Sequence, residues 1–256
     1  MQSSERDHKH GRIPFVTNTS AWDRLAAGSE PTVRIDTVSY GPEMPGEREL
    51  RLLGDVKGKR VLDLGCGSGQ ASIALARQGA HAIALDASAR QLERARRLAE
   101  AEEVRVEWHR SDLADLAFLR ADSVDLAFSA HALAEVEDLD RVFRQVHRVL
   151  RPGGAFVFSY EHPVALCTGR EDALEGTLPL GNLEVRRSYF ERAPLTVERD
   201  GISITLYTRT VGEVFAAAGR AGFRIDVLLE PVPLRSADPG PAIPTSIIWR
   251  ARKSGS

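Results

Sequence analysis

The run VLDLGCGSG, from Val61 to Gly69, constrains this chain more than any other stretch. Val61 to Leu64 reads as a buried strand, a glycine-rich turn follows, and a helix opens near Gln70. Glycine has no Cβ, so at 65, 67 and 69 the main chain can come within contact distance of a ligand. The helix start adds unpaired N–H groups that favour an anionic ligand group. The spacing is G-x-G-x-G, and Gln70 stands where the dinucleotide fingerprint G-x-G-x-x-G has its third glycine. Asp63, two residues before Gly65, repels a pyrophosphate but suits a ligand with a free ammonium group.

Strand and helix alternate from Arg60 onward. Strands are predicted at Val61–Leu64, His81–Leu85 (ending in Asp86), Val104–Trp108, Val124–Ser129, Ala155–Ser159, Phe223–Leu229 and about Thr245–Ala251. Between them lie helices over Gln70–Gln78 (closed by Gly79), from Ser88 to about Ala101, over Leu139–Leu150, and over Val211–Ala221 (closed by Gly222). Such alternation calls for a parallel sheet covered by helices on both faces. Ahead of it, Asn18-Thr19-Ser20 reads as the cap of a short helix and Gly46 to Leu53 as a second one. Arg151-Pro152-Gly153-Gly154 should break the preceding helix in a tight turn. After Tyr160 the pattern stops for about 45 residues, too long for an ordinary connection, which points to an insertion or lid.

Composition excludes several classes. A net charge of -2 argues against a protein that grips extended nucleic acid by neutralising phosphates. Two cysteines, Cys66 and Cys167, suit a reducing cytosol and cannot build a cysteine-rich zinc site, so no metal is expected. His8 and His10 read as part of a solvated tail. No apolar run approaches the ~20 residues of a membrane span, and no signal peptide is evident. The chain is therefore expected to be cytoplasmic.

Four motifs in order over residues 58–160 resemble the class I S-adenosylmethionine-dependent methyltransferases, of the type that modifies small molecules in bacteria. They are the glycine turn, Asp86, Ser111-Asp112-Leu113, and Leu150-Arg151-Pro152-Gly153-Gly154. The resemblance implies an α/β, Rossmann-like, doubly wound sheet of seven strands, mostly parallel with an antiparallel last strand. It also implies one domain: an N-terminal helical cap over 1–58, a cofactor core over 59–160, a substrate lid inserted after strand five over 161–210, and a C-terminal helix and strands over 211–256. S-adenosylmethionine would be the cofactor. Its holders would be Asp63, Gly65, Cys66, Gly67 and Gln70 in the turn, Asp86 and Ala87 at the ribose, and Ser111, Asp112 and Leu113 at the adenine edge. Ser129 would present its carbonyl to the ligand ammonium. Val38 to Pro42, and Gln91 in the helix that starts at Ser88, resemble the cofactor side of one bacterial subset, which adds Tyr40 and Gln91.

On the acceptor side, Tyr160-Glu161-His162-Pro163 resembles a His-Pro element that lines the substrate pocket. A base of near-neutral pKa helps when the nucleophile is a hydroxyl or amine, which makes His162 the first candidate and His131 the second. A structural role for each ring stands beside that reading. Where relatives often carry a histidine after strand four, this chain has Ala134-Glu135, so roles built on that histidine do not transfer. Trp22, Tyr160 and Tyr207, with His162, could line an apolar pocket for a flat, modest-sized metabolite. The expected partner is this acceptor, without nucleic acid or membrane, for a monomer or homodimer. An NAD-linked oxidoreductase shares the turn and Asp86, but Asp63, Gln70 and Asp112 count against it. A non-catalytic cofactor-binding relative is the third possibility.

Overall fold

The computed structural model describes residues 16–28, 35–168, 184–234 and 243–255. His8, His10 and the middle of the expected lid lie outside these residues. Seven strands form one sheet: β1 (Arg60–Leu64), β2 (His81–Asp86), β3 (Glu107–Arg110), β4 (Val124–Ala130), β5 (Leu150–Glu161), β8 (Phe223–Leu229) and β9 (Ser246–Lys253). Their order is β3-β2-β1-β4-β5-β9-β8. β9 runs antiparallel between β5 and β8, and β1 to β5 pair in parallel, as the resemblance implied.

The central strands β1, β2 and β4 are mostly apolar and buried because both of their faces are covered. Val61 joins Ala74, Leu75, Phe128, Val157 and Ile248 on the face under α3 (Gln70–Arg77). Leu62 and Leu64 join Phe143, Phe156, Phe158 and Trp249 on the other, under α5 (Leu139–Val149) and α7 (Val211–Arg220). The winding direction reverses between β1 and β4, and the carboxyl ends of these strands open a crevice there. The glycine turn leaves β1 at that point. Ser88 caps α4 (Ala89–Ala101) with its side chain accepting from Gln91 N, as expected.

Five expectations need correction. β3 starts at Glu107 rather than Val104, because this edge strand has only β2 to pair with and their register begins at Ile83 and Glu107. β5 starts at Leu150: Arg151 to Gly154 stay in the strand, and the irregularity is absorbed by a register shift between Val124 and Leu126. The segment before α7 holds a hairpin, β6 (Leu195–Arg199) and β7 (Ile202–Leu206), closed by Asp200 and Gly201 at φ 49° and 69°. Finally, α1 (Val16–Leu25) begins ahead of Asn18, which is therefore no cap. Its side chain instead pairs with the backbone of β7, accepting from Thr205 N at 2.9 Å and donating to Thr205 O at 2.8 Å. The second helix shrinks to one turn, α2 (Glu47–Leu50), because Arg51 turns left-handed at φ 52°. Among the described residues, no helix is long and apolar enough to cross a membrane.

Candidate active site

The three glycines of the turn have different tasks. A Cβ on Gly65 would lie 2.4 Å from that of Ala132, and one on Gly69 would lie 2.7 Å from the ring of Trp108 and 2.9 Å from Ala95. Both glycines thus let protein pack against protein. Gly67, at φ +52°, has no atom of the described residues beyond its chain neighbours within 4 Å of a Cβ position and is the one whose side is open to a ligand. Its N–H donates to Asp86 Oδ2 at 2.9 Å, and Ser88 N donates to Oδ1 at 2.9 Å. Burial pushes the Asp86 carboxyl up while these N–H groups pull it down, with a net rise. Ser68 Oγ donates to Gln91 Oε1 at 2.6 Å, so Gln91 braces the turn from α4.

Asp63 is 2% exposed and accepts from Ser72 Oγ at 2.5 Å. Burial drives its pKa up to about 7, Ser72 opposes this, and Asp86 adds to it; among the described residues no cation pairs with it. A buried carboxylate lacking a positive partner fits a ligand that brings an ammonium group to the open face of the turn. Protonation of Asp63 removes that attraction, so affinity should fall as pH drops through about 7. We expect S-adenosylhomocysteine to bind about tenfold or more weakly at pH 5.5 than at pH 8, roughly 1.4 kcal/mol. Calorimetry on wild type and Asp63→Asn checks this; an equal decline in the variant would show that Asp63 is not the titrating group.

Several expected holders sit beside the turn. Ala87 is half-buried, and its carbonyl accepts from Arg110 Nε. Ser111 N donates to Asp86 O at 3.1 Å, its Oγ to Asp115 O, and Asp112 Oδ1 accepts from Ala114 N at 2.6 Å. Leu113 packs toward Gly65, and Gln70 opens α3. The Cys66 thiol is buried and pushed well up by burial, so it is packing rather than a nucleophile.

One expected holder is placed elsewhere. Tyr40 is 0% exposed, edge-on to Phe128, with its hydroxyl donating to Glu47, so its side chain serves the core. Ser129, expected to offer its backbone carbonyl, has a buried side chain that donates to Leu64 O at 2.9 Å.

The acceptor side departs further from expectation. His162 is buried, its Nδ1 accepts from Val164 N at 3.1 Å to cap α6 (Pro163–Leu166), and its Nε2 lies 2.9 Å from Glu230 Oε1. Burial pushes its pKa down against Glu230. Both ring nitrogens are spent on protein, which leaves neither for a substrate proton. His131 stands at φ +51°, with Nε2 3.2 Å from Ser246 Oγ and Nδ1 3.3 Å from Glu161 Oε1. Gly41 lies against its ring, where any Cβ would collide.

In their place stands a polar cluster that sequence reasoning missed. Glu135 ends the 3₁₀ turn Leu133–Glu135 after β4, and its Oε2 accepts from Trp22 Nε1 at 2.7 Å and Asn18 Nδ2 at 3.0 Å. Burial drives Glu135 up to about 7; Trp22, Arg199 and Asn18 oppose this and Glu161 reinforces it. Arg199, from β6, reaches Glu161 Oε1 at 3.1 Å and stacks over Trp22. Tyr160 and Tyr207 line a nearby cavity with Leu133 and Glu161, whereas Trp22 is occupied with Glu135. Only the Ala134-Glu135 departure could have signalled this cluster in the sequence.

Residues 62–158 match the model of a methyltransferase domain. An S-adenosylmethionine-dependent methyltransferase from Mesorhizobium loti is 33% identical, with 79% of this chain and 94% of that one aligned at a TM-score of 0.62. Demethylmenaquinone methyltransferase of Clavibacter sepedonicus is 33% identical over 163 residues, 61% of either chain. Ubiquinone biosynthesis O-methyltransferase of Hahella chejuensis is 37% identical over 102 residues, 40% of this chain and 43% of that protein. The chain thus matches less than two thirds of the length of either of these two curated relatives.

Proposed function

Because the chain belongs to the S-adenosylmethionine-dependent methyltransferase family, we propose that it methylates a small aromatic or hydrophobic acceptor and releases S-adenosylhomocysteine. The bound cofactor supplies a methyl group made electrophilic by its sulfonium. The observation that carries this reading is the meeting, at the β1/β4 switch point, of the open Gly67, the cation-free Asp63 and Asp86. Gly67 and the start of α3 would receive the ligand's amino-acid end, Asp86 its ribose hydroxyls, and Asp112 with Leu113 its adenine edge.

Of the chain's own groups, Glu135 is the best placed to accept an acceptor proton. One oxygen is fixed by two neutral donors, and among the described residues no donor reaches the other. The 3₁₀ turn that carries it packs Ala132 on Gly65, so the carboxyl lies near the turn that would hold the cofactor. His131, with Nδ1 3.3 Å from Glu161 Oε1, would be a positioning residue for that carboxylate. Apolar lining by Leu133, Leu139, Leu166 and Val214, and the quinone-related names of two relatives, support a ring-bearing acceptor. The protein would act in the cytoplasm as a monomer or homodimer.

Calorimetry with S-adenosylhomocysteine and NADH, followed by transfer of labelled methyl to a panel of phenols and quinols, tests the reading. We expect S-adenosylhomocysteine to bind, NADH not to bind, and label to reach at least one acceptor. NADH binding in place of S-adenosylhomocysteine, or label that never leaves the donor, would sink it.

A further inference from the structure

Two carboxylates from different elements stand within electrostatic reach of one another at the proposed acceptor end. Glu161, closing β5, is 1% exposed, and its charge acts on the partly buried Glu135 of the 3₁₀ turn. Like charges out of water repel, so such a pair calls for a cation. Among the described residues Glu135 has no ion pair. Asn18 and Trp22 of α1 reach it as neutral donors, and Arg209 donates to the carbonyls of Val136, Glu137 and Tyr207. His131 faces Glu161, with Nδ1 3.3 Å from Oε1. The cation common to both carboxylates is Arg199, which favours the ionised form of each. Its Nη2 donates to Glu161 Oε1 at 3.1 Å. Its guanidinium also lies 5.7 Å from the centre of the Trp22 ring, whose Nε1 donates to Glu135 Oε2 at 2.7 Å.

Arg199 reaches this place from outside the main sheet, as the last residue of β6, and the hairpin that carries it is locked to the turn bearing Glu135. Asn18 spends its whole amide on that lock. Nδ2 donates to Thr205 O at 2.8 Å and to Glu135 Oε2 at 3.0 Å, and Oδ1 accepts from Thr205 N at 2.9 Å. Tyr207 N donates to Ala134 O at 2.7 Å, next to Glu135. Ile204 and Leu206 are buried in the core beneath. Resting on the reading of Glu135 as the base, we propose that Arg199 is a positioning residue for methyl transfer, the cation that Glu135 and Glu161 share and that the docked hairpin sets in place. It acts through Trp22 and Glu161 rather than on the acceptor. Without it, burial and Glu161 are left to push Glu135 toward its protonated form, so the base would need a higher pH. A flat guanidinium can bond a carboxylate while lying on an indole, whereas an ammonium keeps the charge but not the stacking.

The test follows the Trp22 indole N–H resonance of the full chain against pH, assigned by its loss in Trp22→Phe. Wild type should titrate with a midpoint of about 7. Arg199 is 31% exposed, so its replacement in Arg199→Gln should raise that midpoint by about half a unit or more, less than a fully buried cation would give. Arg199→Lys should restore most of the shift, and Glu161→Gln should lower the midpoint. Once an acceptor is in hand, Arg199→Gln should slow methylation about threefold at pH 6 and leave the rate unchanged at pH 9, as half a unit in the base requires. Slowing by the same factor at both marks a merely structural defect and overturns the proposal. A midpoint that Arg199→Gln leaves in place or lowers overturns it as well. If that variant does not fold, a midpoint unmoved in Glu161→Gln does the same. A wild-type indole that never titrates condemns the Glu135 reading beneath it, whereas a normal wild-type titration indifferent to Arg199 condemns Arg199 alone.

Discussion

Gly67→Val is expected to abolish S-adenosylhomocysteine binding while the protein stays folded. Gly67 is left-handed at φ +52° with no protein atom near its Cβ position, so the valine branches project into the space left for a ligand. The strained backbone costs about 1–2 kcal/mol, which lowers the melting temperature by roughly 2–8 °C. Affinity should fall more than about a hundredfold, or roughly 2.7 kcal/mol. Gly65→Val and Gly69→Val make the contrast. Their side chains meet Ala132, Trp108 and Ala95, and both variants should lose folding before they lose a ligand contact. Undiminished affinity in folded Gly67→Val would remove the turn from the site.

The second large effect belongs to Glu135. Glu135→Gln keeps the shape and an oxygen for the Trp22 and Asn18 bonds but cannot take a proton. Once an acceptor is in hand, the methylation rate should fall by about 10²–10⁴ while cofactor affinity stays near that of wild type. The competent form is the carboxylate, held up to about 7 mainly by burial. The wild-type rate should therefore rise with pH through about 7, and the variant should lose that acid limb. Glu161 from β5 and Arg199 from β6 face the group with opposite effects, so neither replaces it as the titrating residue. The Trp22 indole N–H resonance reports on the same event without turnover: it should shift with a midpoint near 7 in wild type and stay flat in Glu135→Gln. A full rate in the variant, or an indole signal that does not titrate, would dismiss Glu135 as base.

The parts legible in the sequence were those written locally. Largely apolar runs such as Val61–Leu64 and Val124–Ser129, with glycine stops at 79 and 222, give a doubly wound sheet because the central strands are buried on both faces. The β6–β7 hairpin had a local signal too: Asp200-Gly201 between alternating Leu195-to-Arg199 and Ile202-to-Leu206 segments is a two-residue turn pattern. It was obscured by the absence of helical periodicity around it. Asp63, Gly67 and Asp86, named by motif, lie at the crevice, but the same matching named Tyr40, whose side chain is in the core, because a motif carries no information on burial. The acceptor side was illegible for another reason. Asn18 and Trp22 on α1, Glu135, Glu161 and Arg199 come from four separate elements, and only the folded chain puts them in contact.

α1 is stitched down along its length by side chains rather than by helix packing alone. Asn18 holds the hairpin, Trp22 holds Glu135, and Asp23 accepts from Ser88 Oγ at 2.6 Å and Arg90 N at 3.1 Å, beside Asp86. The first two ties lie on the proposed acceptor side and the third beside the proposed ribose site. A movement that lifted this helix would unfasten all three, so the two proposed ends of the site would loosen together.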